Sequence, residues 1–236
     1  MSSPYEWVRK QFLQSEDEFK HYLERQVVPQ TSDLKKVYQR LYVIFLFYHR
    51  PELQKYLKSN YSDAAVSLMF DSYIALRTSQ LTASVLTLRA SLDQAIKGWC
   101  EPLEVPFDST RFKQNRLELT KKVCTSFKSS SNLLRSKFQS ASDDLQNNFA
   151  EASQLTHHLG VSNYEASGYL SEALNQSNNL SETVRFVLHA LENVLTFIIT
   201  LCRESFQVWD SSELLKILQI TFSSTKSKTF VKLCKQ

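Results

Sequence analysis

The sequence predicts an all-α protein, built as a single up-and-down-type bundle of about six to eight helices with two long central helices. The chain has 236 residues but only 3 glycines and 5 prolines, and the turns of hairpins and βα units usually need those two residues. Apolar residues recur at three- and four-residue spacing, which is typical of amphipathic helices. Because 42% of the residues are hydrophobic and no low-complexity linker divides them, we expect one domain over 1–222, followed by a basic tail over 223–236 that is mobile.

The N-terminal part, residues 4–60, is predicted to hold three helices. The motif "SPYE" at 3–6 offers a cap, a proline at the first helical position and a capping-box glutamate, so a first helix begins there and runs to about residue 27. Pro29 breaks it, and "TSD" at 31–33 starts a second helix that is apolar around most of its circumference. Pro51 ends that helix and opens a short third one.

A long helix is predicted to follow from Ser62. Its apolar residues are spaced by three or four positions, with one step of five between Leu76 and Leu81. We interpret them as one continuous face about nine turns long. Gly98 and Pro102 are expected to end the helix.

This helix belongs to a central bundle over 62–208. Residues 110–158 predict two helices or one bent helix, because "SSS" at 129–131 interrupts their apolar periodicity. The second strongly apolar helix is expected over 180–208, and a short helix over 212–222.

Composition and motifs exclude several function classes. Cys100, Cys124, Cys202 and Cys234 are widely spaced without a Cys-x-x-Cys pair, which favours reduced thiols. The acidic clusters lack the Glu-x-x-His pairs of a di-iron bundle, and the chain has neither a glycine-rich phosphate loop nor a Gly-x-Ser-x-Gly elbow. We therefore predict no metal and no cofactor.

The charge and the apolar segments predict a cytoplasmic protein without a membrane partner. The net charge of +4 is mild, so by itself it says little about nucleic acid. The N-terminus lacks the apolar core of a signal peptide. The most apolar run, "NVLTFIITLC", covers half of a membrane span, and we interpret it as a buried helix.

The segment "LTLRASLDQAIKGW", residues 86–99, carries two opposite charges at the edge of an apolar helical stripe. Arg89 and Asp93 are one helical turn apart, so we expect them to form an ion pair at the boundary of the core. The stripe itself is formed by Leu88, Leu92, Ala95 and Trp99.

Two segments resemble a known superfamily. The run "SVLTLRASLDQAI" resembles the second-helix signature of bacterial all-α bundles in the HEPN superfamily, in which "LR-x-x-L-D/E" recurs in a long central helix. The run "EASQLTHHLG" resembles the "S-x-x-x-H" helix end that many of these bundles carry before their last helices. The resemblance implies a protein of bacterial stress, toxin–antitoxin or phage-defence systems, some members of which are ribonucleases.

Those ribonucleases carry an Arg-polar-x-x-x-His signature with four to six residues between arginine and histidine. Such a pair would set a cation against a phosphate and a general acid–base beside the leaving oxygen. Here the nearest match is Arg185 to His189, with three residues between them and Phe186 where a polar residue is expected. His157 and His158 are further candidates, although capping of a helix end just before Gly160 accounts for them more simply. The catalytic candidates are thus Arg89, Asp93, His157, His158, Arg185 and His189.

Basic residues recur between 113 and 137 and are interleaved with phenylalanines. They are candidates for a stripe that follows the phosphates of a nucleic acid, while ordinary solvated helix faces carry the same pattern. The residues are Lys113, Arg116, Lys121, Lys122, Lys128, Arg135 and Lys137.

Two functions remain open from the sequence. The first is a non-catalytic helical bundle that acts through protein partners, as a homodimer or as a subunit of a larger assembly. The second is a divergent HEPN-like ribonuclease or RNA-binding protein, which would need no metal. The absence of an assembled active-site motif favours the first.

Overall fold

The computed structural model confirms the all-α class. Within the described ranges, eight helices have nine or more residues and no residue lies in a strand. The description covers residues 5–6, 8–10, 12–13, 28–127, 132–158 and 180–235, with the side chains of 156–158 left out.

The first described helices begin where the sequence predicts them. Residues 5–6, 8–10 and 12–13 are helical, whereas the predicted continuation to about residue 27 lies outside the described residues. Helix α1 spans Ser32–Tyr48, and its N-cap Thr31 accepts a hydrogen bond from the backbone N–H of Leu34 at 3.2 Å. A 3₁₀ turn at Pro51–Leu53 then leads into the single-turn α2, Gln54–Leu57.

The predicted nine-turn helix is wrong, because this segment forms a helical hairpin. Helix α3 spans Asn60–Arg77 and α4 spans Leu81–Cys100. The chain turns at Ser79, which adopts a left-handed φ of 58°. Non-glycine residues seldom adopt that conformation. Because the turn contains neither glycine nor proline, the only irregularity that marks it in the sequence is the five-residue step between the apolar residues Leu76 and Leu81.

Small residues let α3 and α4 pack closely in antiparallel orientation. Ser72 Oγ donates to the carbonyl oxygen of Ser84 at 2.8 Å, and both side chains are fully buried. Gly98 was expected to end the helix, but it lies inside α4 against Ser62. A Cβ at position 98 would lie 2.5 Å from Ser62 Oγ and 2.8 Å from the Ser62 backbone nitrogen, so the backbones meet where only glycine fits.

Three further long helices complete the bundle. Helix α5 spans Phe112–Ser126, α6 spans Asn132–His158 and α7 spans Leu180–Leu201. Residues 110–158 therefore contain two helices, which is one of the two predicted alternatives.

Aromatic stacking joins the helices in the centre of the core. Trp99 of α4 stacks on Phe197 of α7 at a centroid distance of 4.5 Å, and Phe138 of α6 lies 4.6 Å from the same ring. Trp99 Nε1 donates to the hydroxyl of Tyr48 at 2.8 Å, which satisfies the one polar atom of the indole. The stripe residues Leu88, Leu92 and Ala95 are buried beside it.

Helix α7 is long and apolar enough to cross a membrane. Among the described residues it is the one helix with that property, and 72% of its most apolar 18-residue window is buried in the protein. Burial of this kind is consistent with the core helix of a soluble protein, as the sequence predicts for "NVLTFIITLC".

The expectation of a mobile basic tail is wrong. The single-turn α8 spans Arg203–Phe206, α9 spans Ser211–Gln219, and α10 spans Ser224–Cys234. Apolar residues of α10 are buried, among them Phe230 and Leu233. The lysine-rich sequence of this segment did not predict an amphipathic helix, because its apolar positions are few and spaced at three-residue intervals.

A charged triad anchors α10 to the bundle. The carboxylate of Glu192 in α7 accepts hydrogen bonds from Arg40 of α1 at 2.8 Å and from Lys226 of α10 at 2.7 Å. Partial burial would raise the pKa of Glu192, but the hydrogen bonds from Lys226 and Arg40 outweigh it and hold that pKa below its ordinary value. The ionised carboxylate therefore stabilises the folded state.

We expect Glu192→Gln to lower the free energy of unfolding at neutral pH by about 1–2 kcal/mol, because Arg40 would lose its charged partner in a largely buried position. Since the pKa of Glu192 is depressed on folding, the carboxylate's contribution is present above the unfolded-state pKa and is lost as the pH falls through the folded-state pKa. The free energies of unfolding of the variant and the wild type should therefore converge as the pH falls. Urea unfolding between pH 7 and about pH 3 measures both. Glu151→Gln, at an exposed position of α6, is the control, and an equally large loss there would contradict the account.

Candidate functional site

A cleft lies between α4, α5 and α6. Its volume is about 740 Å³, and the sequence candidates Arg89, Asp93 and Lys113 line it. The other side chains that shape its chemistry are Arg111, Gln146 and Phe149. The cleft therefore contains Arg89 and Asp93, the two residues predicted to form an ion pair at the boundary of the core.

Arg89 does not pair with Asp93, so the predicted ion pair is wrong. Its Nε donates to Ser153 Oγ of α6 at 2.7 Å, and its guanidinium carbon lies 4.5 Å from the centre of the Phe149 ring. Arg89 thus joins α4 to α6 by a hydrogen bond and a cation–π contact. The two segments that carry the family resemblance meet at this contact.

Asp93 pairs instead with Lys97, one turn further along α4. Lys97 Nζ lies 2.5 Å from the Asp93 carboxylate and donates to the carbonyl oxygen of Ser109 at 2.8 Å. The lysine side chain is only 7% exposed. A signal for this pair was in the sequence, because an acid that precedes its base by four residues is the favoured orientation on a helix, whereas Arg89 precedes Asp93.

The remaining charges at the cleft are mostly positive and exposed. Arg111 is 72% exposed and lies 3.5 Å from Asp108, and Lys113 is also exposed. Asp108 accepts hydrogen bonds from the backbone and the hydroxyl of Thr110, which hold its pKa below the ordinary value. With Asp93 compensated by Lys97, the lining has a net positive charge.

Aromatic stacking forms an apolar wall of the cleft. The rings of Phe112 in α5 and Phe149 in α6 are nearly parallel, with centroids 4.0 Å apart. Phe112 is buried, while Phe149 is partly exposed. The wall therefore combines a rigid ring pair with the guanidinium of Arg89.

Arg185 and His189 lie away from this cleft. Both are exposed on α7, and Arg185 is close enough to Asp33 in the first turn of α1 to help lower the pKa of that carboxyl, after the larger effect of Lys36. His189 Nε2 lies 3.2 Å from the side-chain nitrogen of Asn193. The structure does not bring this pair to Arg89 and Asp93.

His157 and His158 form the last residues of α6. Their side chains lie outside the described part of the chain, so their predicted role at the helix end stays a prediction. Arg89 donates to Ser153, which lies one turn before His157. The end of α6 therefore lies one turn beyond that contact.

The predicted basic residues do not form one stripe. Arg116 is buried and donates to Ser142 Oγ at 2.6 Å and to Asp143 at 2.9 Å, so it joins α5 to α6. Lys113 lines the cleft, whereas Lys122 lines a separate small pocket. Of the others, Lys121 and Lys137 are exposed, Arg135 is half-buried, and Lys128 lies outside the described residues.

The four cysteines are free thiols, as predicted, and all are buried. Burial raises the pKa of Cys100 to about 12 and also raises the pKa of Cys202 and of Cys234. Neutral, inaccessible thiols are poor nucleophiles, so these residues serve the core.

An apolar ridge is exposed on α1 and α3. We define the ridge as Phe45, Phe70 and Ile74, of which Phe45 is 40% and Ile74 46% exposed. The rings of Phe45 and Phe70 meet edge to face at 6.1 Å, and His49 packs on Phe45 at 4.0 Å. The sequence does not predict the ridge, because α3 packs beside α1 only when α3 and α4 are two separate helices of a hairpin.

We expect Arg89→Ala to lower the free energy of unfolding by about 1–2 kcal/mol, because both the bond to Ser153 and the contact with Phe149 are lost. Chemical unfolding measures it, with Arg111→Ala at an exposed position as a control that changes stability by less than about 0.5 kcal/mol. An Arg89→Ala protein of normal stability that had lost RNA cleavage would contradict a structural role.

Comparison with protein-family models, with curated proteins and with solved structures finds no match to this chain. The resemblance to the HEPN superfamily stays a prediction.

Proposed function

We propose that the protein is a non-catalytic helical bundle that acts in the cytoplasm through protein partners. It would do so as a homodimer or as a subunit of a bacterial stress, toxin–antitoxin or phage-defence assembly. The observation that carries the proposal is the apolar ridge, because large exposed apolar side chains that lie together mark interaction surfaces.

The ridge has the properties of a binding surface. Phe45 is held between Phe70 and His49, so little side-chain entropy would be lost when a partner covers it. Aromatic side chains with this degree of order are typical anchors of protein interfaces. Removing Ile74 and Phe45 from water would favour association.

A second copy of the chain is the partner that we assign to the ridge. Most soluble oligomers are two-fold homodimers, in which one patch meets itself. The ridge suits this arrangement, since it is apolar and carries no charged member that would meet its own like charge. The subunit of a mixed assembly would use the same surface.

The positions of the catalytic candidates also support a binding role. Arg89 holds Ser153 and Phe149, Asp93 is neutralised by Lys97, and both interactions stabilise the fold. Arg185 and His189 lie on another face of the bundle. These described candidates do not converge on one reacting atom, as acid–base chemistry requires.

The alternative is a divergent HEPN-like ribonuclease or RNA-binding protein. It is favoured by the positive charge of the cleft at Arg89, Arg111 and Lys113, which could hold phosphate. Loss of RNA cleavage in an otherwise stable Arg89→Ala protein would favour this alternative over the partner-binding proposal.

We expect the purified protein to have twice the chain mass of 27.4 kDa in light scattering coupled to size exclusion. Ile74→Lys should shift the mass to that of one chain, because the ammonium would have to lose its water in the interface. Leu133→Lys is the matched control, since Leu133 is 61% exposed on α6 and its change should leave the dimer intact. A wild-type monomer at the highest soluble concentration would contradict the homodimer that we assign to the ridge, and equal dissociation by both variants would contradict the ridge as its interface.

A further inference from the structure

We propose that the small pocket between α2, α5 and α8 is a binding site for a free α-amino acid with an apolar side chain of about the size of leucine. The pocket shares no residue with the ridge, so the assignment does not rest on the proposed dimer. It is supported by the size of the pocket, by an arginine that lacks an acceptor, by a carboxylate beside that arginine and by an apolar lining.

The size of the pocket fits a small molecule. Its volume is about 200 Å³, which is below the range of roughly 300–1,000 Å³ that is typical of pockets for larger ligands. A water molecule occupies about 30 Å³ in the liquid, so a ligand that fills the pocket displaces about seven waters. An amino acid of leucine size takes up that space. The lining comes from α2, from the 3₁₀ turn Glu101–Leu103, from α5 and from the chain where α7 meets α8.

Arg203 provides a cation that lacks a hydrogen-bond acceptor. Its side chain is only 12% exposed, and its guanidinium carbon lies 5.0 Å from the centre of the Phe127 ring. Its Nε is buried without a partner among the described residues, and Glu204 Oε1 lies 3.9 Å from a terminal nitrogen, which is too far for a hydrogen bond. Buried polar groups are normally hydrogen-bonded, because the loss of their hydration is costly. The carboxylate of a ligand would provide the acceptors that the planar guanidinium favours.

Glu204 provides the complementary anion. Its Oε2 accepts a hydrogen bond from the hydroxyl of Tyr56 at 3.1 Å. Burial and then the charge of Glu204 raise the pKa of Tyr56, so this hydroxyl stays protonated and remains a donor. Oε1 accepts no hydrogen bond within the described part of the chain, and it is available to the N–H groups of an ammonium.

The two charges together favour a zwitterion. A ligand with only a carboxylate would meet Glu204 as a like charge while it paired with Arg203. An α-amino acid carries its ammonium on the carbon next to its carboxylate, so each group meets its opposite charge. Lys122 also lines the pocket and adds to the attraction of the carboxylate. Lys55 lies 3.9 Å from Glu204, but both side chains are more than half exposed, so water screens this pair.

The apolar lining of the pocket fits an aliphatic side chain. It is formed by Leu103, Val123, Phe127 and Leu201, of which all but Leu103 are buried in the core. An aliphatic group in contact with them would leave water, which favours binding. The pocket therefore distinguishes an amino acid of leucine size from glycine.

The test is isothermal titration calorimetry of the full chain with L-leucine and with three analogues. 4-Methylpentanoate is leucine without the ammonium, leucinamide lacks the carboxylate, and glycine lacks the side chain. We expect leucine to bind and each analogue to bind more weakly by about tenfold or more, because each leaves one part of the pocket without its partner.

Glu204→Gln tests the assignment of the ammonium. The amide oxygen can still accept from Tyr56, but the negative charge is lost. This variant should weaken the binding of leucine by about fivefold or more and should not weaken that of 4-methylpentanoate. Glu151→Gln makes the same change at an exposed position outside the pocket, and it should leave the binding of leucine within about twofold.

Ser126→Trp tests the place of binding, because an indole at this exposed position of the lining would fill the pocket. Thr125→Trp is the matched control. Thr125 is exposed one residue earlier on α5 and does not line the pocket, and both hydroxyls donate to the carbonyl oxygen three residues before them at 2.7 Å. We expect Ser126→Trp to abolish the binding of leucine and Thr125→Trp to leave it within about twofold.

The proposal is overturned if leucine does not bind, if 4-methylpentanoate, leucinamide or glycine binds as tightly as leucine, or if the two tryptophan variants behave alike. Equal effects of Glu204→Gln on leucine and on 4-methylpentanoate would overturn it as well. This last comparison also decides the matter if Ser126→Trp does not fold.

Discussion

The close approach of α3 and α4 is the constraint on which the rest of the structure depends. Gly98 leaves no room for a Cβ beside Ser62, and Ser72 bonds to the backbone of Ser84 in the buried seam. Small residues bring the two helix axes together, and a short interaxial distance fixes which faces of α4 remain for other helices. The face with Trp99 then meets α7, and the face with Arg89 meets α6.

The position of the cleft follows from this packing. Because α4 is held on one side by α3 and on another by α7, its polar edge can only face α5 and α6. Arg89 is therefore presented to Phe149 and Ser153, and Lys97 is buried where it compensates Asp93. The same packing sets α3 beside α1, and the apolar ridge on these two helices shares no residue with the lining of the cleft.

The sequence predicted local features well and topology less well. The N-cap at Thr31 and the burial of Trp99 follow from capping preferences and apolar periodicity, both of which depend on residues close in sequence. The turn at Ser79 was missed because a left-handed serine leaves no mark in composition, and both helices of the hairpin share one apolar period. In the site, the Asp93–Lys97 pair was predictable from its orientation. The bond from Arg89 to a serine 64 positions away depends on tertiary packing, so no local pattern predicts it.

The most direct test of the account is the distance between residues 63 and 94. Asp63 is exposed on α3 and Gln94 is partly exposed on α4, so cysteines placed there can be spin-labelled while the four buried native thiols stay protected. The hairpin predicts a distance below about 25 Å, because packed helix axes lie about 8–10 Å apart. A single continuous helix would separate the two positions by about 45 Å. A distance distribution centred near that larger value would contradict the packing from which the cleft and the ridge are derived.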